Sequence, residues 1–233
     1  MVGTLYGVGV GPGAPELITV QAYRVLKESP VIAYPKSRKG KQSYAYKIIE
    51  AYVNPIEKEM LGLIFPMTKD QVVLEKEWAN TVEAVYSKLA EGKDIAFITE
   101  GDPLLYSTFI HLMKLMKSKY PQVPIKTVPG ISSINGAAAR LGLPLADGEE
   151  KIAIVPATDD TEAMRKVLLE NDCVVFLKVS KVIKKMLSLL EELQLLNNAN
   201  VITKATSDEE IIWNLHELPD TKLEYLTLMV VRK

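Results

Sequence analysis

The chain has 233 residues, 48% of them hydrophobic and 24% charged, with a formal net charge of −1. This length accommodates one large domain or two small ones and a sizeable core. The near-neutral balance excludes a global field that would draw the protein to nucleic acid or an anionic membrane, so neither is expected as a partner. The single cysteine, Cys173, excludes an intrachain disulfide and a cysteine-based zinc site. It sits in the apolar run Val174, Val175, Phe176 and reads as a buried structural thiol. The first residues lack a signal-peptide pattern, and no stretch reaches the roughly 18 apolar residues of a membrane span, so a cytoplasmic location is expected.

Short β-rich runs alternate with helical periodicity. Residues 4–10 form a strand candidate ending in glycines. A helix is predicted over 16–28, with Leu17, Ile18, Val20, Val25 and Leu26 as its apolar positions. Residues 31–34 read as a short buried strand stopped by Pro35, and 56–66 as an extended segment broken at Gly62. A long helix follows over 69–91, ended by Gly92. Residues 95–99 form a strand that opens into Glu100-Gly101-Asp102-Pro103. Next come a helix over 105–119, a strand over 125–128, and a helix of small residues over 131–141 after Pro129-Gly130. This order predicts a largely parallel sheet with helices on its faces.

Composition shifts at 142–150, so the boundary is placed there: residues 1–146 as an N-terminal α/β domain, 147–233 as a C-terminal one with a mixed sheet. The second half restarts with a strand over 152–155. It continues with a helix over 161–170, a strand over 174–178, a helix over 181–193 and a strand over 201–203. Residues 209–215 and 223–231 read as neighbouring strands, antiparallel to each other.

Two loops carry the chemical interest. The first, Gly9-Val10-Gly11-Pro12-Gly13, matches a dinucleotide fingerprint only loosely. Pro12 and Pro15 remove two backbone donors from the stretch that would cradle a pyrophosphate, and no acid follows the second strand to hold a ribose. The alternatives are a plain tight turn and a loop that lets a ligand approach the backbone closely. The second loop leaves the C-terminal end of a predicted parallel strand, where open α/β sheets bind ligands. In it, Asp102 can accept from hydroxyls or cap the next helix, and Pro103 stiffens the turn. Pro129-Gly130-Ile131-Ser132-Ser133 leaves the next strand in the same way, and the two loops outline one pocket.

The set of residues 8–19, Glu100-Gly101-Asp102-Pro103 and 128–133 resembles the tetrapyrrole (corrin/porphyrin) methylases along the whole chain. The resemblance implies two α/β domains with the active site in a cleft between them, S-adenosylmethionine as methyl donor, and a homodimer. Segments 33–37, 64–70 and 102–109 are similar to the family's C20 branch, whose members methylate precorrin-2 or cobalt-factor II in cobalamin synthesis. Neither substrate is favoured over the other. The resemblance assigns donor contacts to Pro12, Gly101, Asp102, Pro103, Tyr106, Ser132 and Ser133. In the second domain it assigns them to Leu177, Lys178, Ala205, Thr206, Thr227 and Leu228. Leu177-Lys178 and Ala205-Thr206 depart from the residue pairs the family often has there, which points to backbone contacts. Pro35 stands where some uroporphyrinogen methylating relatives have an aspartate, which removes a candidate base.

Methyl transfer from a sulfonium needs alignment and dryness rather than a metal. Candidates for a base are Tyr34, Glu100 and Tyr106, and none is singled out. Lys36, Arg38, Lys39 and Lys41, with Tyr34 before them, are candidates for binding the substrate's carboxylates. His111 and His216 read as structural or surface residues; no protein-bound metal is expected, and any cobalt would arrive inside the substrate. Competing expectations are another tetrapyrrole position, a diphthamide or ribosomal-RNA type substrate on the same fold, and an NAD(P)-dependent oxidoreductase.

Overall fold

In a computed structural model, residues 1–36, 43–65, 70–215, 218 and 223–233 are described. Contacts divide the chain into two compact units, Met1–Ser132 and Ser133–Lys233. The candidate carboxylate ligands Arg38, Lys39 and Lys41 fall outside the described residues, as does His216.

The first unit holds strands β1 (Leu5–Gly9), β2 (Val31–Lys36), β3 (Glu59–Ile64), β4 (Ile95–Thr99) and β5 (Ile125–Val128). They form one sheet in the order β3-β2-β4-β1-β5, parallel at every pairing. Its helices are α1 (Val20–Glu28), α2 (Tyr44–Ile49), α3 (Gln71–Ala90) and α4 (Thr108–Lys119). Alternation along β1, β2 and β4 buries both faces, as the interior of a parallel sheet requires. On one face Leu5, Ala33, Ile95 and Phe97 pack with Val82 and Val85 of α3 and Phe109 and Leu112 of α4. On the other, Val8, Ile32, Ala96 and Ile98 pack with Val25 and Leu26 of α1 and Ile48 and Ile49 of α2.

Local chemistry explains where elements start. Thr19 caps α1 by accepting from the Ala22 N–H, so the helix begins later than the periodicity predicts; residues Pro15–Leu17 make a 3₁₀ turn instead. The strand before Pro35 continues through it to Lys36, because β2 still pairs there with β3. Gly62 likewise lies inside β3: Lys36 and Tyr34 side chains cover the place a Cβ would occupy. Asp70 caps α3 by accepting from Val72 and Val73 N–H. Helix α4 starts at Thr108 rather than 105, capped by Ser107.

The second unit holds α5 (Ser133–Leu141), β6 (Ile152–Pro156), α6 (Thr161–Glu170), β7 (Cys173–Leu177), α7 (Ile183–Glu192), β8 (Ala199–Thr203), β9 (Ile211–Trp213) and β10 (Thr227–Arg232). Helix α5 belongs with this unit, ahead of the composition shift, because Ile134 and Ala137 pack with Cys173, Val175 and Ile202. Its sheet runs β6-β7-β10-β8-β9, with only the β6–β7 pairing parallel. The expectation that β9 and β10 are neighbours is corrected: β8 lies between them, antiparallel to both. Val201 and Ile202, on opposite faces of β8, are fully buried, which suits an interior strand. Cys173 is buried, with its thiol pushed up by that burial.

Candidate active site

In the first unit, the chain leaves β1 for α1 on one face and leaves the adjacent β4 for α4 on the other. The two connections diverge at neighbouring strands, which opens a crevice at their C-terminal ends. The sequence puts its two singled-out loops at this point.

The loops are knitted together by backbone. Val10 N–H donates to Thr99 O at 3.0 Å and Gly101 N–H to Gly11 O at 2.8 Å. A Cβ on Gly130 would stand 2.1 Å from Gly101 O and 2.7 Å from Gly9 Cα. A Cβ on Gly9 would stand 2.5 Å from Gly101 O and 2.7 Å from Gly130 N. The ends of β1, β4 and β5 therefore meet at Gly9, Gly101 and Gly130, and neither Gly9 nor Gly130 has room for a side chain. Gly9 is thus enclosed by Gly101 and Gly130. Gly11 and Gly101 also sit at φ 89° and 62°, in the left-handed region that glycine tolerates.

Asp102 completes the junction. Its Oδ1 accepts from Leu104 N–H at 2.8 Å and its Oδ2 from Gly130 N–H at 3.1 Å. One carboxylate thus shapes its own turn and holds the next loop beside it. Pro12 and Pro103 are buried in this junction, whereas Leu104, Leu105, Tyr106 and Ile131 are exposed. Tyr106 has φ 52°, a strained conformation for a residue with a side chain. Immediately after it, Ser107 Oγ donates to Thr99 Oγ1 at 3.0 Å and accepts from Phe109 N–H. That contact ties the start of α4 to the end of β4, and composition alone does not single it out.

Glu100 points to the α2 face. Its Oε1 accepts from Ala45 N–H at 3.2 Å, in the first turn of α2. Burial pushes its carboxyl above the usual carboxylate range, against the lowering effect of hydrogen bonds from its own and Ala45 N–H. On the same face the Tyr34 and Tyr46 rings pack with centroids 5.2 Å apart. Burial, then Glu50 and Tyr34, push the Tyr46 hydroxyl up. Lys36 is exposed at the end of β2.

The second unit gathers the remaining expected residues at one end of its own sheet. Register places Leu228 opposite Leu177 and Thr227 opposite Thr203. Lys178, Lys204 and Thr206, which follow β7 and β8, have φ 59°, 48° and 73°. Glu210 braces this edge: its carboxylate accepts from Thr206 N–H at 2.6 Å and from Arg140 Nε at 2.8 Å. A hydroxyl chain braces it from below. Trp213 Nε1 donates to Thr203 Oγ1 at 2.8 Å, Thr203 and Thr227 hydroxyls meet at 2.8 Å, and Thr227 donates to Glu224 O at 2.7 Å. Since Thr227 spends its proton on Glu224 O, Thr203 donates to Thr227, and both hydroxyls are committed to the fold. Lys178 is exposed and Ala205 buried. Ser132 closes the first unit and Ser133 opens α5.

A groove of about 690 Å³ between α3 and α4, lined by Leu74, Trp78, Val82, His111 and Leu115 among others, contains none of the expected site residues. His111 packs there against Trp78, with ring centroids 4.3 Å apart. Among the described residues, no group of three or more His, Cys, Asp or Glu is arranged to hold a metal ion, and no helix is long and apolar enough to cross a membrane.

A probable cobalt-precorrin-2 C(20)-methyltransferase of Methanocaldococcus jannaschii is 39% identical, with 100% of this chain and 97% of that protein aligned. The cobalt-precorrin-2 C(20)-methyltransferase of Salmonella typhimurium is 34% identical, over 100% of this chain and 98% of the relative. Among solved structures, a cobalt precorrin-4 methyltransferase superposes with TM-score 0.75 at 22% identity, covering 98% of this chain and 94% of that one. A uroporphyrin-III C-methyltransferase from Thermus thermophilus, complexed with S-adenosylhomocysteine, superposes with TM-score 0.64 at 22% identity, covering 99% and 98%. The family described as Tetrapyrrole (Corrin/Porphyrin) Methylases matches residues 4–219, and the chain belongs to it.

Proposed function

We propose that this methyltransferase transfers a methyl group from S-adenosylmethionine to C20 of precorrin-2 or its cobalt-containing form during cobalamin synthesis. The observation that carries the reading is full-length similarity to C20-methyltransferases in a chain whose donor-loop motifs converge at the switch point of its first sheet. Bound donor supplies a methyl group already activated by the sulfonium charge. The protein's task is then to fix the reacting groups in line and to exclude water, which can lower a barrier by about 7–11 kcal/mol in favourable systems.

The residues fit that task. The glycine junction and the Asp102 carboxylate hold the three loops in a fixed relation, so the backbone around 101–103 is preorganised before any ligand arrives. Tyr106 and Ser132, with the backbone of Gly101 and Asp102, would contact the donor in the first unit. Ser133, Leu177, Lys178, Ala205, Thr206, Thr227 and Leu228 would contact it in the second, largely through backbone at the left-handed positions. Pro12 and Pro103 would act by stiffening turns, since both are buried. The exposed apolar residues Leu104, Leu105 and Ile131 offer a surface for a tetrapyrrole ring, and Lys36 a cation for one of its carboxylates.

The same reading makes the protein a cytoplasmic homodimer, which light scattering checks. Saturating S-adenosylhomocysteine is expected to raise the melting temperature through linkage. Incubation with labelled donor and either precorrin-2 or cobalt-factor II, followed by location of the new methyl, tests the reaction. Absence of a thermal shift removes the donor assignment, and a methyl at another carbon removes the C20 assignment.

A further inference from the structure

Methylation of a ring carbon that carries hydrogen leaves that hydrogen to be removed, and the reading above assigns no group to accept it. Glu100 stands at the C-terminal end of β4, one residue before the Gly101-Asp102-Pro103 loop. Alternation along the strand puts it on the face of Ala96 and Ile98, towards α2. There Oε1 accepts from Ala45 N–H at 3.2 Å, and among the described residues no cation pairs with the carboxylate. The residue as a whole keeps partial exposure at the C-terminal edge of the sheet, while its carboxyl is buried. A carboxylate in that setting holds protons more tightly than one in water, because burial outweighs its two backbone hydrogen bonds.

We propose that Glu100 accepts the proton released from the methylated ring carbon. This rests on the tetrapyrrole reading above. Addition of the methyl group leaves a positive charge on the conjugated ring and a C–H bond on the new sp³ carbon. As that bond breaks, its electron pair returns to the ring and cancels the charge, while the proton forms an O–H bond on the Glu100 carboxylate. Solvent takes the proton after product leaves, and the carboxylate is regenerated.

The competing role is structural, with Glu100 only capping α2. Glu100→Gln separates the two, because its amide oxygen can still accept from Ala45 N–H but cannot hold the proton. The expected result is a fall in kcat on the order of 10²–10⁴-fold, with KM for the tetrapyrrole and the thermal shift by S-adenosylhomocysteine close to wild type. Deuterium at the reacting carbon should slow this variant more than the wild type. Formate should restore part of the activity of Glu100→Ala by supplying the missing carboxylate. Wild-type kcat in Glu100→Gln would overturn the proposal. If that variant does not fold, a folded Glu100→Ala that formate cannot rescue would overturn it. Failure of the wild-type protein itself to bind S-adenosylhomocysteine would count against the proposed function instead, so the two failures are distinguishable.

Discussion

At the end of the first sheet, Gly9, Gly101 and Gly130 meet backbone to backbone. At the end of the second, Lys178, Lys204 and Thr206 turn in the left-handed region with their side chains in place. The first arrangement needs glycine because neighbouring backbone occupies the space a Cβ would take. The second has no such crowding and instead carries backbone strain of about 1–2 kcal/mol per residue. That strain is held by specific partners: Glu210 on Thr206 N–H, Glu209 and Glu224 on the Lys204 ammonium, and the hydroxyl chain through Thr203 and Thr227. Turns at strand ends are thus fixed by close backbone packing in one unit and by hydrogen bonding in the other.

The sharpest way to break the first arrangement is Gly130→Ala. Its Cβ meets backbone rather than a flexible side chain, so the loops must part. Destabilisation near the top of the range of about 1–3 kcal/mol for overpacking is expected in chemical denaturation, together with loss of the thermal shift by S-adenosylhomocysteine. In the second unit, Thr203→Val removes the acceptor of the Trp213 indole N–H and the donor to Thr227. About 2 kcal/mol should be lost in urea unfolding, and Thr203→Ser should recover most of it. If Thr203→Val is silent, the hydroxyl chain does not hold that edge.

Asp102→Asn is a gentler probe. The amide oxygen can serve Leu104 N–H, but the NH₂ group cannot accept from Gly130 N–H. A stability loss of about 1 kcal/mol is expected, with weaker S-adenosylhomocysteine binding by calorimetry; unchanged affinity would mean that the link between the loops is dispensable. The smallest effect belongs to Thr206→Gly. Relief of the left-handed strain is set against the greater freedom of glycine in the unfolded chain and the loss of the threonine side chain, for a net change of no more than about 1 kcal/mol in either direction. A loss above that value would show that the threonine side chain makes contacts that outweigh its strain.

Strands β1, β4, β5 and β7 and helices α3 and α6 were legible from periodicity because each is long enough, or apolar enough, to state its own period. Helix α2 was not: it has six residues, and its amphipathic face is fixed by tertiary contacts of Ala45, Ile48 and Ile49. The adjacency of β10 to β7 and β8 was invisible for a related reason, since pairing across sequence leaves no mark on the strand's own pattern. At the site, the loops were legible as glycine–proline punctuation. The work of individual residues was not. Asp102 reads from sequence as an acceptor for hydroxyls or a helix cap, but its link to the Gly130 N–H across the loops does not. Glu210 and Thr203 gave no signal, because a bracing role depends on partners 70 and 24 residues away.

Strand β10 also constrains how the protein is made. It occupies the middle of the second sheet, between β7 and β8, which are both translated before it. The first unit's strands and helices are all present once residue 132 has been translated, and it can begin to fold while translation continues. The second cannot be completed: until residues 227–232 leave the ribosome, β7 and β8 each present an unpaired edge, and the Thr203 hydroxyl lacks its Thr227 partner. The nascent chain therefore passes through a stage with one finished half and one open-edged half. Premature termination just before β10 would leave that stage permanent and prone to aggregation.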